Sequence, residues 1–394
     1  MDNIQTFDKE QLYQSFQDLV SNKLQSTSFS EFSKEVDKLL TSLPDTNDKH
    51  IALFSFYGSV NSILDFSFVK AVKEKYPDHK IHLFIDNNSS LLWENCPYIE
   101  ETIPVQIDNS NILTVLISAI ELAKQYTWNY KFDLAFLPYN EINSIFLAWI
   151  IGTQKIISIK ESVDDEFSSL IDEKIEFTGT NELERRFALI KEPVKLIDKL
   201  WFDFSAIDQS IKDTVIVDIS SLLPNQEYSI KNYAKILLSL NKNVIIIGNN
   251  ENALYLQSLL TDNIYSLDTN LPKLNKDRVN IASEKTLTQF YLISQASLFI
   301  GNDNGLSHLA ALYKVPTLVL LAEAEEKQDE KAYSAYYRYH DSIYGDKYIA
   351  LRPEYCAGNC FAIKSYGGCS YHMPHCINEI TIEQIEDALT KLNL

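Results

Sequence analysis

The segment with the clearest chemical potential is Gly-Asn-Asp-Asn-Gly-Leu-Ser-His at residues 301–308, which lies between an apolar strand-like run and an apolar helix-like run. The chain has only 10 glycines and places two of them here, where the backbone must turn and a ligand can approach it closely. A helix that begins at such a turn directs backbone N–H groups and the positive end of its dipole at an anion such as a diphosphate. His308 is placed to donate to a phosphate oxygen, whereas Asp303 suits a sugar hydroxyl or the amides of the turn. The local pattern also fits an ordinary capped turn without a ligand.

Alternating strands and amphipathic helices must position this turn. Short β-branched and aromatic runs followed by helices start at His50 and are typical of βαβ units with a parallel sheet. The same pattern restarts near residue 215, which predicts an α/β protein with two Rossmann-like halves and a cleft between them. The predicted strands are 51–56, 81–86, 132–137, 156–159, 215–218, 244–248, 298–300 and 317–320. The predicted helices are 62–76, 141–151, 181–200, 231–240, 251–260, 286–296 and 305–313.

This pattern divides the chain into four parts. Residues 1–48 are a helical N-terminal extension, because Leu12, Phe16, Leu19 and Val20 recur at helical spacing. Residues 49–200 are the N-terminal Rossmann-like domain, and residues 201–345 are the C-terminal Rossmann-like domain. Residues 346–394 form a cysteine-rich segment and a final helix.

The charge and the hydropathy pattern exclude several functional classes. A formal charge of -19 disfavours binding to nucleic acid or to an anionic membrane surface. We find no apolar stretch of membrane-spanning length and no signal peptide at the N-terminus. The sequence therefore predicts a cytoplasmic protein without a transmembrane segment.

The residues 299–321, FIGNDNGLSHLAALYKVPTLVLL, resemble the motif of the ADP-heptose:lipopolysaccharide heptosyltransferase family, which is glycosyltransferase family 9 and has the GT-B fold. Residues 51–77 and 376–389 are similar to two further segments of that family. The resemblance implies an ADP- or UDP-linked sugar donor and an inverting transfer to a hydroxyl, without a metal in the chemistry. It makes residues 49–200 the acceptor domain and residues 201–345 the donor domain, and it places the donor at Asp303, Asn304, Gly305, Leu306 and His308.

The sequence departs from the family pattern at two positions. The family's proposed base is an Asp in the first loop, but Asn61 or Ser59 stands there and the nearest carboxylate is Asp65. Asp65 is either a substitute base or a solvated carboxylate near the start of a helix. A family Lys that grips a donor phosphate is replaced by Gln226, and Lys231 follows one turn later as a substitute or as a surface residue.

Four cysteines, Cys356, Cys360, Cys369 and Cys376, lie within 21 residues. Their spacing, C-x3-C-x8-C-x6-C, predicts either a structural zinc or iron site or a set of free thiols, and His372 and His375 are alternative ligands. A protein-modifying branch of the family that the chain resembles, the autotransporter heptosyltransferases, carries a cysteine-held iron near the same end, and zinc, iron and free thiols all stay open for this segment.

These observations predict a glycosyltransferase that moves a heptose or hexose from a nucleotide-diphosphate donor to a glycan or protein acceptor. Two alternatives stay open. One is a catalytically silent protein of the same fold that binds a nucleotide sugar or acts as a scaffold, and the other is an epimerase, because two Rossmann-like domains do not fix the chemistry. The sequence is also compatible with a homo-oligomer.

Overall fold

The computed structural model describes residues 7–23, 27–56, 58–106, 110–160, 166–207, 211–220, 227–248, 250–262, 271–282, 286–322, 336–340, 343–354 and 376–393. The chain divides into two compact units. The first contains Met1–Gly179 and Leu183–Lys195, and the second contains Thr180–Glu182 and Leu196–Leu394. Each unit is built on one six-stranded parallel sheet, which confirms the predicted α/β class.

The sheet of the first unit has the strand order β3-β2-β1-β4-β5-β6, and every pair in it is parallel. This is the doubly wound order, in which β1 and β4 are neighbours where the chain reverses its direction across the sheet. The strands are β1 Lys49–Ser55, β2 His79–Ile85, β3 Glu101–Pro104, β4 Leu134–Leu137, β5 Ile156–Ile159 and β6 Glu173–Ile175. The helices are α1 Lys9–Lys23, α2 Phe29–Leu40, α3 Ser59–Lys75, α4 Ser90–Trp93, α5 Ile112–Leu122, α6 Ile142–Ile150 and α7 Glu182–Ile190.

Helices α1 and α2 pack into the core of the first unit. The Phe16 ring stacks on Trp128 with 5.1 Å between centroids, and the Trp149 indole donates to Asp37 Oδ1 at 2.7 Å. Both tryptophans are buried. The described part of residues 1–48 therefore shares one core with the sheet that follows it.

The second unit repeats the doubly wound order as β12-β11-β10-β7-β8-β9, again with parallel pairs. Here β7 and β10 are the neighbours at the reversal point. The strands are β7 Thr214–Asp218, β8 Asn243–Ile247, β9 Val279–Ile281, β10 Leu298–Asn302, β11 Thr317–Leu320 and β12 Tyr348–Leu351. The helices are α8 Ile230–Leu240, α9 Asn250–Thr261, α10 Thr286–Gln295, α11 Gly305–Leu312 and α12 Ile382–Lys391.

The described parts of residues 346–394 belong to this second unit, because β12 extends its sheet and α12 packs on α8. The helix predicted over 181–200 ends earlier, at Ile190. Lys191 has a left-handed φ of 55° and Pro193 follows it, and both features terminate a helix. No helix in the described ranges is long and apolar enough to cross a membrane.

Hydrogen-bonded polar side chains link β1, β2 and β3 in the first unit, and the two histidines among them are buried. His50 Nδ1 lies 2.8 Å from His82 Nε2, and His82 Nδ1 lies 2.8 Å from Glu101 Oε1. The Tyr130 ring stacks on His50 at 4.0 Å and its hydroxyl donates to Glu101. Burial, with a contribution from the neighbouring His82, lowers the pKa of His50 to about 4.

The lowered pKa of His50 predicts that the protein loses stability in mild acid. Between pH 6.5 and pH 4 the unfolded state binds a proton at His50 that the folded state does not, so the free energy of unfolding falls as the pH falls. From pH 7.5 to pH 5.5 we expect a loss of about 1 kcal/mol from His50. Urea unfolding at both pH values should show this loss, and His50→Phe should reduce it. Equal losses in the two proteins would contradict the assignment to His50.

Candidate functional site

The turn at residues 301–308 lies at the carboxyl end of β10, where that strand pairs with β7. Gly301 is opposite Asp218 in the register of the two strands. A Cβ on Gly301 would lie 3.1 Å from both Cβ and the carbonyl oxygen of Asp218, which is tighter than ordinary packing. The glycine is therefore needed for the close approach of the two central strands, at the edge of the sheet where ligands of doubly wound proteins bind.

Asn304 fastens this turn to β7. Its Oδ1 accepts from the backbone N–H of Leu306 at 2.9 Å and so caps the N-terminus of α11, while its Nδ2 donates to Asp218 Oδ2 at 2.6 Å. Asp218 is fully buried, and its Oδ1 accepts from the backbone N–H of Ser220 at 2.9 Å. Burial raises the pKa of Asp218, although these hydrogen bonds oppose the rise.

Asn302 adds a second connection beside the first. Its Nδ2 donates to the Ser220 carbonyl at 2.9 Å, and its Oδ1 accepts from the Tyr233 hydroxyl at 3.1 Å. Sequence reasoning missed Asp218, Ser220 and Tyr233. For Asp218 a signal was present, because it is the last residue of the first strand in the second unit.

The turn also carries Asp303, which is clustered with His308 of α11 and with His340. Asp303 Oδ1 lies 3.1 Å from His340 Nε2 and 3.7 Å from His308 Nε2. The two imidazole rings stack with 5.0 Å between centroids and are both buried. Burial acts to raise the pKa of Asp303, but the two histidines outweigh it and hold that pKa well below its usual range.

Each histidine of the cluster is also held at its Nδ1 atom. His308 Nδ1 lies 2.8 Å from the Tyr344 hydroxyl, and His340 Nδ1 bonds to the Tyr348 hydroxyl. Burial lowers the pKa of His308, which favours the neutral ring. His340 was missed as a site residue because it lies 37 positions after Asp303, at the end of an aromatic run (336–340) that suggested packing.

The structure thus brings together five of the predicted donor residues, which are Asp303, Asn304, Gly305, Leu306 and His308. For Asn304 and Leu306, the observed role differs from the predicted contact with a ligand. The Asn304 side chain accepts from the Leu306 amide and donates to Asp218, so these groups fix the turn.

The other donor and metal residues are only partly covered. Gln226 lies outside the described residues, and Lys231 is an exposed residue of α8. Cys356, Cys360 and Cys369 lie outside the described residues, whereas Cys376 is buried at the start of a short 3-10 turn, Cys376–Glu379. The cysteine site and the phosphate role of Lys231 stay predictions.

In the first unit, Asn61 and Asp65 lie on α3 and face the interior. The fully buried Arg186 of α7 contacts Asp65 Oδ1 through Nε at 2.5 Å and Asn61 Oδ1 through its terminal nitrogen at 2.8 Å. Ser55 donates to Asp65 Oδ2 at 2.6 Å. Asp65 is only 2% exposed, so the expectation of a solvated carboxylate does not hold. A carboxylate paired with a guanidinium is also a weak base, which disfavours the catalytic role predicted for it.

The buried ion pair of Asp65 and Arg186 leads to a prediction about stability. Arg186→Met should lower the free energy of unfolding by about 3–5 kcal/mol, because it leaves Asp65 charged and buried without its counter-ion. The double variant Asp65→Leu with Arg186→Met should recover most of this loss, since it replaces both charges with apolar groups. Urea denaturation of the single and double variants measures both effects. A double variant no more stable than the single one would contradict this assignment.

The sequence matches a known protein family over more than half of its length. The family model of glycosyltransferase family 9 (heptosyltransferase) matches residues 122–339, which is more than half of the 394-residue chain. No curated protein sequence matches the chain significantly.

Solved structures of that family share the fold. A family 9 glycosyltransferase from Veillonella parvula aligns with a TM-score of 0.62 and 15% identity over 87% of this chain and 97% of its own. ADP-heptose lipopolysaccharide heptosyltransferase II from E. coli aligns at 0.60 with 15% identity, covering 87% and 98%. The E. coli heptosyltransferase WaaC with ADP-2-deoxy-2-fluoro heptose aligns at 0.60 with 10% identity, covering 87% and 99%.

The family match covers β10, α11 and the residues of the turn between them, and the two doubly wound sheets are those of the GT-B fold. The chain accordingly belongs to glycosyltransferase family 9 and is a heptosyltransferase-like glycosyltransferase.

Proposed function

We propose that this glycosyltransferase moves a heptose or hexose from an ADP- or UDP-linked donor to a hydroxyl of a glycan or protein acceptor, with inversion at the sugar carbon. One observation carries the proposal. The turn between β10 and α11 is fixed at the reversal point of the sheet by the Asn304–Asp218 bond, and it carries Asp303, which is clustered with His308 and His340.

The donor diphosphate is proposed to lie at the N-terminus of α11. The first amides of a helix have no partner within the helix, and the helix dipole adds partial positive charge there. Gly305, the first residue of α11, has no side chain to obstruct a phosphate. The WaaC structure with an ADP-linked heptose analogue supports a donor of this class for a protein with the same fold.

The sugar of the donor is proposed to contact Asp303. A carboxylate with a depressed pKa stays ionised at neutral pH and accepts hydrogen bonds from sugar hydroxyls. His308 and His340 hold that carboxylate in one orientation, so they are positioning residues in this proposal.

Inversion requires the acceptor oxygen to attack from the face opposite the leaving diphosphate, in a single displacement. The proton of the acceptor must then pass to a group other than the buried, ion-paired Asp65. The family resemblance implies that no metal takes part in this step. A cytoplasmic location stays part of the proposal.

Donor binding can be tested by thermal shift. ADP-heptose and UDP-hexoses at about 100 times their Kd should stabilise the protein by about 2.7 kcal/mol, which raises Tm by roughly 5–10 °C. His308→Ala should abolish the shift, because it removes a support of Asp303. Lys276→Ala is the matched control, since its exposed side chain pairs with Asp262 and not with the cluster of Asp303, His308 and His340 among the described residues. A shift that survives in His308→Ala would place the donor elsewhere, and no shift with any nucleotide sugar would overturn the proposed donor class.

Catalysis and stereochemistry need a separate measurement. Incubation of the protein with the donor that binds and with candidate acceptors should give a product whose anomeric proton coupling, read by NMR, shows the opposite configuration to that of the donor. Retention would contradict the single displacement. Binding without release of nucleoside diphosphate in any mixture would favour the silent binding protein, and a donor isomerised at another carbon would favour an epimerase.

A further inference from the structure

The cluster of Asp303, His308 and His340 contains a nitrogen atom that the protein itself does not satisfy. His308 Nε2 is buried and has no hydrogen-bond partner among the described residues. Asp303 Oδ1 is 3.7 Å away, which is beyond hydrogen-bond length. A buried polar atom left unsatisfied destabilises the folded state, so this atom indicates that a ligand binds here.

Potential metal ligands surround this nitrogen. Asp303, His308 and His340 each offer one ligand atom within 4.8 Å of the other two, and the Nε2 atoms of both histidines face Asp303 Oδ1. A cation bound at about 2.0–2.2 Å to each atom, with tetrahedral angles, separates the atoms by about 3.3–3.6 Å. The two measured separations from Asp303 Oδ1, 3.1 and 3.7 Å, lie on either side of this range.

The groups outside the cluster also resemble the surroundings of a metal site. Histidines that bind a metal through one nitrogen almost always hydrogen-bond through the other, which fixes the ring. Tyr344 and Tyr348 occupy the Nδ1 side of His308 and His340, so both Nε2 atoms face the same carboxylate. Both rings are buried, and they stack at an interplanar angle of 24°.

We propose that Asp303 Oδ1, His308 Nε2 and His340 Nε2 bind one divalent transition-metal cation of the zinc or iron(II) class. Two imidazole nitrogens beside one carboxylate suit these cations, whereas calcium and magnesium take oxygen ligands. Three protein ligands leave a position open for water or for an oxygen of a molecule bound at the turn. The site does not depend on the proposed function, because a silent binding protein would hold the cation equally.

Metal analysis of the full-length protein tests this site. Protein stripped with a chelator is loaded with Co²⁺ and desalted, and its metal content and visible absorption are measured. Wild type should hold one equivalent that Asp303→Asn and His340→Gln each lose. His79→Gln, on β2 of the first unit, is the matched control and should retain it. A variant with Cys356→Ser and Cys360→Ser separates this equivalent from any metal at the cysteine segment and should also retain it.

A substitution outside the three ligands tests the site even if replacing a ligand prevents folding. Tyr348→Phe keeps all three ligands and removes one hydroxyl that orients His340, so it should weaken Co²⁺ binding about 10-fold. The proposal is overturned if His340→Gln and wild type bind Co²⁺ equally, if Tyr348→Phe has no effect, or if the cysteine variant loses all metal.

Donor binding to the metal-free protein, measured by the same thermal shift, keeps the two proposals apart. If the protein binds Co²⁺ but no nucleotide sugar raises its Tm, the proposed function is contradicted and the cation site is supported. If a nucleotide sugar raises the Tm of a protein that binds no Co²⁺, the cation site is contradicted and the proposed function is supported.

Discussion

The close contact between the ends of β7 and β10 is the constraint on which the site in the second unit depends. Gly301 allows the two strands to approach, and the buried Asp218 then holds both the backbone of Ser220 and the side chain of Asn304. Asn304 in turn caps α11, which sets where that helix begins. The position of Asp303, and with it the whole cluster of Asp303, His308 and His340, follows from these few hydrogen bonds.

The equivalent edge of the first unit uses its polar groups differently. Its sheet has the same strand order, and Asn61 and Asp65 also follow the first strand of that sheet. There the carboxylate is a counter-ion for Arg186 and accepts a hydrogen bond from the Ser55 hydroxyl, while the Asn61 side-chain oxygen accepts one from the same guanidinium. The same sheet architecture therefore supports two different arrangements. In the second unit it holds a turn whose Asp303 carboxylate is clustered with two histidines, and in the first unit it holds the buried ion pair of Asp65 and Arg186.

The sequence was sufficient for the long elements and for the motif, because both depend on local order along the chain. The central strands and most helices were predicted within a few residues. The four strands β3, β6, β9 and β12 were missed, since each has only three or four residues and they include polar or charged side chains. Helix α5 was missed because its residues are apolar on nearly every side, so its sequence lacks a polar face that marks the helical period.

The contacts that define the sites could not be predicted, because they join residues far apart in sequence. His340 meets Asp303 across 37 positions, and Arg186 meets Asp65 across 121. Local spacing carries no information on such pairs, and only the packing of the sheet brings them together. The same limit applied to Asp65, whose position early in α3 suggested solvent but whose side chain faces inward.

The packing of α1 and α2 has a consequence for the order of events during synthesis. These helices are synthesised before the sheet that they pack against, because Trp149, the partner of Asp37, comes 112 residues later. At about 5–20 residues per second, on the order of 10 s pass between the synthesis of the two helices and that of their packing partners. During that interval Phe16, Phe32 and Val36 cannot join the core of the first unit, so the nascent chain exposes their apolar surface.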